Sequence, residues 1–289
     1  MRVTDLSLLT WKEVKEIDKE KSVAFAVMAP VEEHGWHLPL GTDVIEGEFW
    51  SRKAMEHIEE QLRVECCYLP SFPVAAASVN EFYGSVHFTM RTTCDVAAGI
   101  LESLRCMGFR NIVLIASHAD PQHQIAVEKA VRRINRRYGT CAFAPMGQIF
   151  MGKGVRMPAE LSDFEKAHPD DFHAGWVETS SLLAMGGGYV REGYKEMPDS
   201  TITEKGMISR RKQVKGMGKY GYLGSPRHAS RELGIQLNEN CIASITDAVV
   251  KFYRRDGYHE YGRYALYKIL PLHLGFLGMF GRVRRMEAE

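Results

Sequence analysis

The sequence predicts an α/β protein, a mostly parallel sheet with helices on both faces. Three observations carry that prediction. Apolar runs of strand length recur at Val23–Met28, Val64–Leu69 and Asn111–Ala116, and unbroken runs of this kind suit strands buried on both faces. Stretches of helical period separate them. Segments carrying acids and histidine follow two of the runs directly, where parallel sheets place their ligands.

Thr10-Trp11-Lys12-Glu13 reads as a capping box opening a short helix to about Lys19. The first apolar run follows, and Pro30 ends it. From Val44 to about Leu62, Ile45, Phe49, Ala54, Ile58 and Leu62 recur as one helical face. Pro70–Ser85 is loop-like. Asp95 is expected to cap a helix bearing Val96, Ile100, Leu101 and Leu104, closed by Gly108. Asn111–Ala116 is the clearest buried strand, and Ser117-His118-Ala119-Asp120 stands at its C-terminal end. Pro121 opens a helix with Val127, Ala130, Val131, Ile134 and Tyr138 on its apolar face. Thr140–Ala144 is a fourth strand. Met146–Phe172 reads as a long loop or small insertion. An apolar helix begins within His173–Ser180 and runs to Met185, and Gly186–Gly188 breaks it. Residues 189–224 read as irregular, glycine-rich and basic. Helix returns at Ala243–Tyr253. The aromatic and basic residues after it match no element.

At 289 residues, 45% hydrophobic and 25% charged, the chain has the composition of an ordinary globular protein. A net charge of +1 gives no basic field, so neither nucleic acid nor an anionic membrane is an expected partner. Cys66, Cys67, Cys94, Cys106, Cys141 and Cys241 are scattered without a Cys-x-x-Cys pair, as reduced thiols of a cytoplasmic protein. The polar, charged N-terminal stretch is not expected to act as a signal peptide. Ile269–Gly281 is too short to span a bilayer.

The densest chemistry lies in Glu32-Glu33-His34-Gly35-Trp36-His37-Leu38-Pro39-Leu40-Gly41-Thr42-Asp43. Histidine and carboxylate are the ligands of hydrolytic zinc and manganese sites, which keep a position open for water. Glu32 and His34, two apart in an extended loop, can point the same way. Asp43 begins the next helix, and its two oxygens allow it to bridge two ions. His118 arrives from an adjacent strand end. Two ions about 3.5–4 Å apart would hold a hydroxide and polarise a carbonyl. Duller readings stand beside these. Asp43 can simply cap its helix. Asp120 before Pro121 has the pattern of an N-cap with Pro at N1. His118 alone fits a satisfied core histidine, and Glu33 a solvated acid or one behind the ligands. The joint pattern, set between Pro30 and Leu38-Pro39-Leu40, outweighs them.

Glu32-x-His34-Gly-x-His37-Leu-Pro-Leu-x-Thr-Asp43 resembles the signature loop of the creatininase (creatinine amidohydrolase) family. Phe82-Tyr83-Gly84-Ser85 sits where that family has a Phe-Pro-Gly-Thr turn. Gly108-Phe109-Arg110-Asn111 through His118 is similar to its strand and Asn-Gly-His loop. His173-Ala-Gly-x-x-Glu178-Thr-Ser resembles its second catalytic segment, and Gly224-Ser225-Pro226 through Gly234 its late Gly-Asp-Pro stretch. The resemblance implies a three-layer α/β/α domain over residues 1–255. Residues 256–289 are expected to form an extension packed on that domain or at an oligomer interface. It also implies a small-molecule substrate, a hexamer built as a trimer of dimers, and two divalent metal ions, zinc or manganese with iron a further option. Carried over by position, Glu32 and His34 bind different ions, Asp43 bridges them and His118 completes the first. Asp120 or Glu178 completes the second. His173 matches the catalytic histidine that passes a proton to the leaving group, and His37 is either behind the ligands or facing substrate.

The chain also departs from the family. Ala116-Ser117-His118-Ala119-Asp120-Pro121 replaces Asn-Gly-His-Gly-Gly-Asn, and Trp36 replaces a proline. Three functions are therefore carried forward. The first is hydrolysis of a cyclic or linear amide. The second is carbon–carbon hydrolysis of a cyclic polyhydroxy diketone of inositol breakdown, recognised by a basic loop with Lys205, Arg210, Arg211, Lys212, Lys215 and Arg227. The third is metal binding without catalysis.

Overall fold

A computed structural model describes residues 3–77, 82–202 and 210–277. Five strands form one sheet: β1 (Thr4–Asp5), β2 (Ser22–Met28), β3 (Glu65–Phe72), β4 (Ile112–Ala116) and β5 (Ala142–Phe143). Their order is β1-β3-β2-β4-β5, and every pairing is parallel. All residues of β2 and β4 are buried, as their unbroken apolar runs require.

The helices are α1 (Trp11–Glu16), α2 (Thr42–Leu62), α3 (Met90–Cys106), α4 (Pro121–Tyr138), α5 (Met146–Ile149), α6 (Ala159–Ala167), α7 (Trp176–Met185), α8 (Arg210–Met217) and α9 (Arg231–Arg254). α3 packs on α4, whereas α9 packs on both α7 and α2, so two helical layers enclose the sheet. From β2 the chain crosses to β3 on one side. From β4 it crosses to β5 on the other. The neighbouring C-terminal ends of β2 and β4 therefore form the switch point of the sheet, where the departing chains leave a crevice.

Thr10 and Glu13 make the expected capping box, which opens α1. Three expectations are corrected. Asp95 does not cap α3. Thr89 does so, accepting from Thr92 N at 3.1 Å, and Asp95 faces Arg133 from the helix interior. Met146–Phe172 is not a plain loop but holds α5 and α6. The late helix starts well before Ala243, at Arg231, where Ser230 accepts from Leu233 N at 3.2 Å. Its packing face runs through Gly234, Asn238 and Ser244 as well as Ile242, Ile245 and Val249, so apolar period alone understates it.

β3 runs on through Pro70, past the last residue that β1 pairs, Tyr68. The N–H that Pro70 lacks has no neighbouring strand to serve on that side. After α9 come short 3-10 turns at Tyr258–Glu260, Ala265–Lys268 and Leu270–Leu277. Tyr261 and Tyr264 between them are buried in the main core. Two small satellite cores matter for the site. Leu38 packs with Ala174, Leu182 and Tyr222, and Trp176 packs with Leu161 and Ala229. These contacts dock the loop after β2 against α7.

Candidate metal centre

The loop after β2 is closed by a bond from Glu32 N to Leu40 O at 2.9 Å. Gly35 turns it at φ +67°, where a Cβ would come within 3.0 Å of His37 Nδ1. That turn sends His34 and His37 inward and leaves Trp36 exposed. α2 begins at Thr42 after Gly41, which offers no side-chain cap. Asp43 does not cap the helix either; its carboxylate is buried and directed at the histidines. At the end of β4, Gln124 Nε2 donates to Ala116 O at 2.8 Å and to His118 O at 2.6 Å. Ser117 Oγ donates to Asp43 O at 2.7 Å.

α7 is started by Asp171, which accepts from Trp176 N at 2.8 Å, Val177 N at 3.0 Å and Ser225 N at 3.0 Å. Gly175 and Gly224 make room, since a Cβ on either would lie 1.8 or 2.2 Å from Asp171 Oδ1. With the helix start already satisfied, Glu178 is free to accept from Ala174 N and to approach His34. His173 comes in on an antiparallel bridge with Leu223.

These elements bring six of the expected site residues together. His118 Nδ1 lies 3.2 Å from Asp43 Oδ2 and 3.5 Å from Glu32 Oε2. His34 Nε2 lies 3.7 Å from the same Asp43 oxygen and 3.8 Å from Glu178 Oε2. His173 joins Glu32 and His34 in a third group. Ligands held at 2.0–2.2 Å around a tetrahedral ion are roughly 3.3–3.6 Å apart, close to these spacings. The atoms also lack other partners: Glu32 Oε2, His34 Nε2 and Asp43 Oδ2 are buried with no hydrogen bond. His34 Nδ1 donates to Glu32 O at 3.0 Å, which leaves the lone pair on Nε2, facing the carboxylates. Buried polar atoms are costly when unpaired. An orphaned imidazole nitrogen beside orphaned carboxylate oxygens, with His118 Nδ1 facing the same oxygens, is the donor set of a divalent ion, and these residues fit one.

The electrostatics agree. Burial pushes Glu32 up to about 7, although His118 and His173 pull the other way. Burial also disfavours the charged forms of Asp43 and His118, but His118 overrules it for Asp43, and Glu32 followed by Asp43 overrules it for His118. With His34 adding to the effect, Asp43 falls below the usual carboxylate range. His118 rises to about 10. Asp43 is thus kept charged by the cations beside it, whereas for Glu32 burial outweighs them.

Asp120 and His37 are placed elsewhere. Asp120 accepts from Gln122 N at 2.7 Å as the N-cap of α4, and it belongs to none of the three ligand groups among the described residues. His37 does not face an open pocket. It is 1% exposed, with Nε2 2.9 Å from Thr179 Oγ1 on α7. Burial, helped by the charge of His34, lowers it to about 4, so it is a neutral brace.

Some partners were not evident from residue types. Of the two readings of Glu33, the structure matches the acid behind the ligands: it is buried, with Oε1 3.3 Å from His173 Nε2, and its own carbonyl accepts from that nitrogen at 2.8 Å. Burial would lower His173, but Glu33, joined by Glu32, holds it well above the ordinary imidazole range. Glu46 was missed; it is buried, and burial and then Glu178 raise it well above the usual carboxylate range. Its spacing of three from Asp43 on one helix face was the available signal. Of the basic loop, Lys205 lies outside the described residues, as do the side chains of Arg210 and Arg211. Arg227 is paired with Asp199.

Comparison with known proteins gives a consistent result. The sequence model of the creatininase (creatinine amidohydrolase) family matches residues 7–249. Creatinine amidohydrolase of Pseudomonas putida is 24% identical over 257 residues, covering 83% of this chain and 94% of that protein. A manganese creatininase structure superposes with TM-score 0.67 at 20% identity, over 87% of this chain and 99% of that one. A mutant creatininase complexed with creatine gives the same TM-score, identity and coverage.

Proposed function

This chain belongs to the creatininase family and is a metal-dependent hydrolase, and from that premise we propose a two-metal centre acting on the carbonyl of a small cyclic or linear amide. Glu32, Asp43 and His118 would hold one divalent ion; His34, Asp43 and Glu178 would hold the other. The observation that carries this reading is Asp43 Oδ2, orphaned and buried between His118 Nδ1 at 3.2 Å and His34 Nε2 at 3.7 Å. Zinc or manganese suits the mixed nitrogen and oxygen donors. Such ions lower the pKa of bound water and polarise a carbonyl.

The protein's own residues supply the rest. Glu32 and Asp43 would present their buried, unpartnered oxygens to the ions. His173 keeps Nε2–H on Glu33, so the proton for a leaving amine is carried on Nδ1, and Glu33 favours the charged ring that donates it. His37 and Thr179 hold the loop to α7 and so fix the position of His34 relative to Glu178. The family also leads us to expect a hexamer of three dimers, which sedimentation at six times the chain mass would support. Six free cysteines suit the cytoplasm.

The test is an assay of metal-loaded protein against creatinine, formamides and an inosose-type diketone. Turnover of an amide is expected. His173→Ala should suppress it at unchanged metal content, and undiminished turnover in that variant would remove the role of His173. Turnover of the diketone alone would replace the amide substrate with the carbon–carbon alternative.

A further inference from the structure

A segment that departs from the family's loop, Ala116-Ser117-His118, also carries one of the proposed ligands. Ser117 is 2% exposed, and its hydroxyl donates to the backbone carbonyl of Asp43 at 2.7 Å. One serine thus ties together the chain positions of two ligands, its neighbour His118 and the shared Asp43. The room for this contact comes from α2. Gly47 stands one turn beyond Asp43, and a Cβ there would lie 2.2 Å from Ser117 Oγ, 2.8 Å from Ser117 Cβ and 2.7 Å from Val27 Cγ1. Gly47 has no need of unusual backbone, since it lies within regular helix. A glycine in a helix interior costs about 1 kcal/mol relative to alanine. The close approach of β4 to α2 is what it serves.

We infer that Ser117 is a positioning residue, matched to Gly47, which sets the separation of Asp43 and His118 for the ion they share. The inference rests on the metal centre proposed above. Asp43 O lies in the first turn of α2, where the helix itself supplies the N–H of Gly47. Loss of the serine hydroxyl therefore leaves no orphaned carbonyl, and its effect on folding is small. What it loosens is the register of the loop after β4 against α2, the joint on which the 3.2 Å approach of His118 to Asp43 depends. Outer partners that orient metal ligands commonly govern metal affinity by 10–100-fold.

The experiment titrates metal-free full-length protein with Co2+, following the visible d–d absorption and the two dissociation constants. Ser117→Ala is expected to fold with an unchanged circular dichroism spectrum. One ion should weaken by about ten-fold with an altered d–d spectrum, and the other should change far less. Gly47→Ala should weaken the same ion, and Ser117→Gly added to Gly47→Ala should recover part of the loss. Should Ser117→Ala not fold, Ser117→Cys keeps the size and a weak donor and should show the same selective loss in smaller measure. Wild-type affinities and spectra in the serine variant would overturn the inference alone. Wild-type protein that takes up no ion would overturn the metal centre and this inference with it.

Discussion

Gly234 and Gly99 are both helical, and the same substitution is expected to act on them with opposite sign. A Cβ at Gly234 would lie 1.8 Å from Ser180 O, 2.4 Å from its carbonyl carbon and 2.9 Å from Ala184 Cβ. The first two are backbone atoms of α7 and cannot rotate away. Close carbon–oxygen contacts sit near roughly 3.3 Å, so α7 would have to withdraw from α9 by about 1.5 Å. Overpacking of that kind typically costs about 1–3 kcal/mol, and more where backbone must move. Alanine returns about 1 kcal/mol of helix propensity. Taking the upper part of the range, Gly234→Ala should lose about 2 kcal/mol, a fall in Tm of about 4–8 °C for a chain of this size. Gly99 on α3 has nothing within 4 Å of its Cβ. Gly99→Ala should therefore gain up to about 1 kcal/mol. Urea and thermal unfolding of both variants beside wild type provide the assay. Because α7 carries Glu178, Gly234→Ala should also weaken metal binding. If Gly234→Ala proves as stable as Gly99→Ala, α9 does not approach the backbone of α7 this closely.

Two further predictions concern buried groups. His123 is fully buried, with Nε2 3.1 Å from Met28 O, and burial followed by the charge of His118 lowers it to about 3 from 6.5. A lowered histidine resists protonation in the folded state, so its stabilising effect is complete above pH 6.5 and is lost as pH falls from 6.5 toward 3. Metal-free wild type should lose about 2 kcal/mol more than His123→Gln between pH 7.5 and 5, read from urea midpoints; parallel losses would show that His123 does not titrate this way. Tyr264, beyond the family-matched residues, is 6% exposed in the main core. Tyr264→Ala should cost about 3–5 kcal/mol as a large core truncation, whereas a loss below about 0.5 kcal/mol would place residues 256–277 on the surface.

The parallel strands were legible because a strand buried on both faces must be apolar throughout, and β2 and β4 are. The candidate metal loop stood out because two histidines and three acids in twelve residues exceed what packing asks for. Other features depend on partners that no local pattern names. Thr89 and Asp95 are both plausible caps. Thr89 takes the position because Thr92 N is in reach, while Asp95 is drawn to Arg133. The first half of α9 packs through Gly234 and Asn238, whose fit depends on Ser180, Ser181 and Trp50 from distant segments. Asp120 and Glu178 look equivalent in sequence, each at a helix start. Their difference arises because Asp171 satisfies the start of α7, whereas α4 relies on Asp120 itself.

Counting ions tests the centre most directly. Protein stripped of metal, dialysed against Mn2+ or Zn2+ and analysed for bound metal should hold two ions per chain. Asp120→Asn, which preserves the helix cap, should still hold two, and Glu178→Gln should hold one. Two ions in Glu178→Gln with one in Asp120→Asn would move the second site to Asp120, and no bound ion in the wild type would contradict the centre altogether.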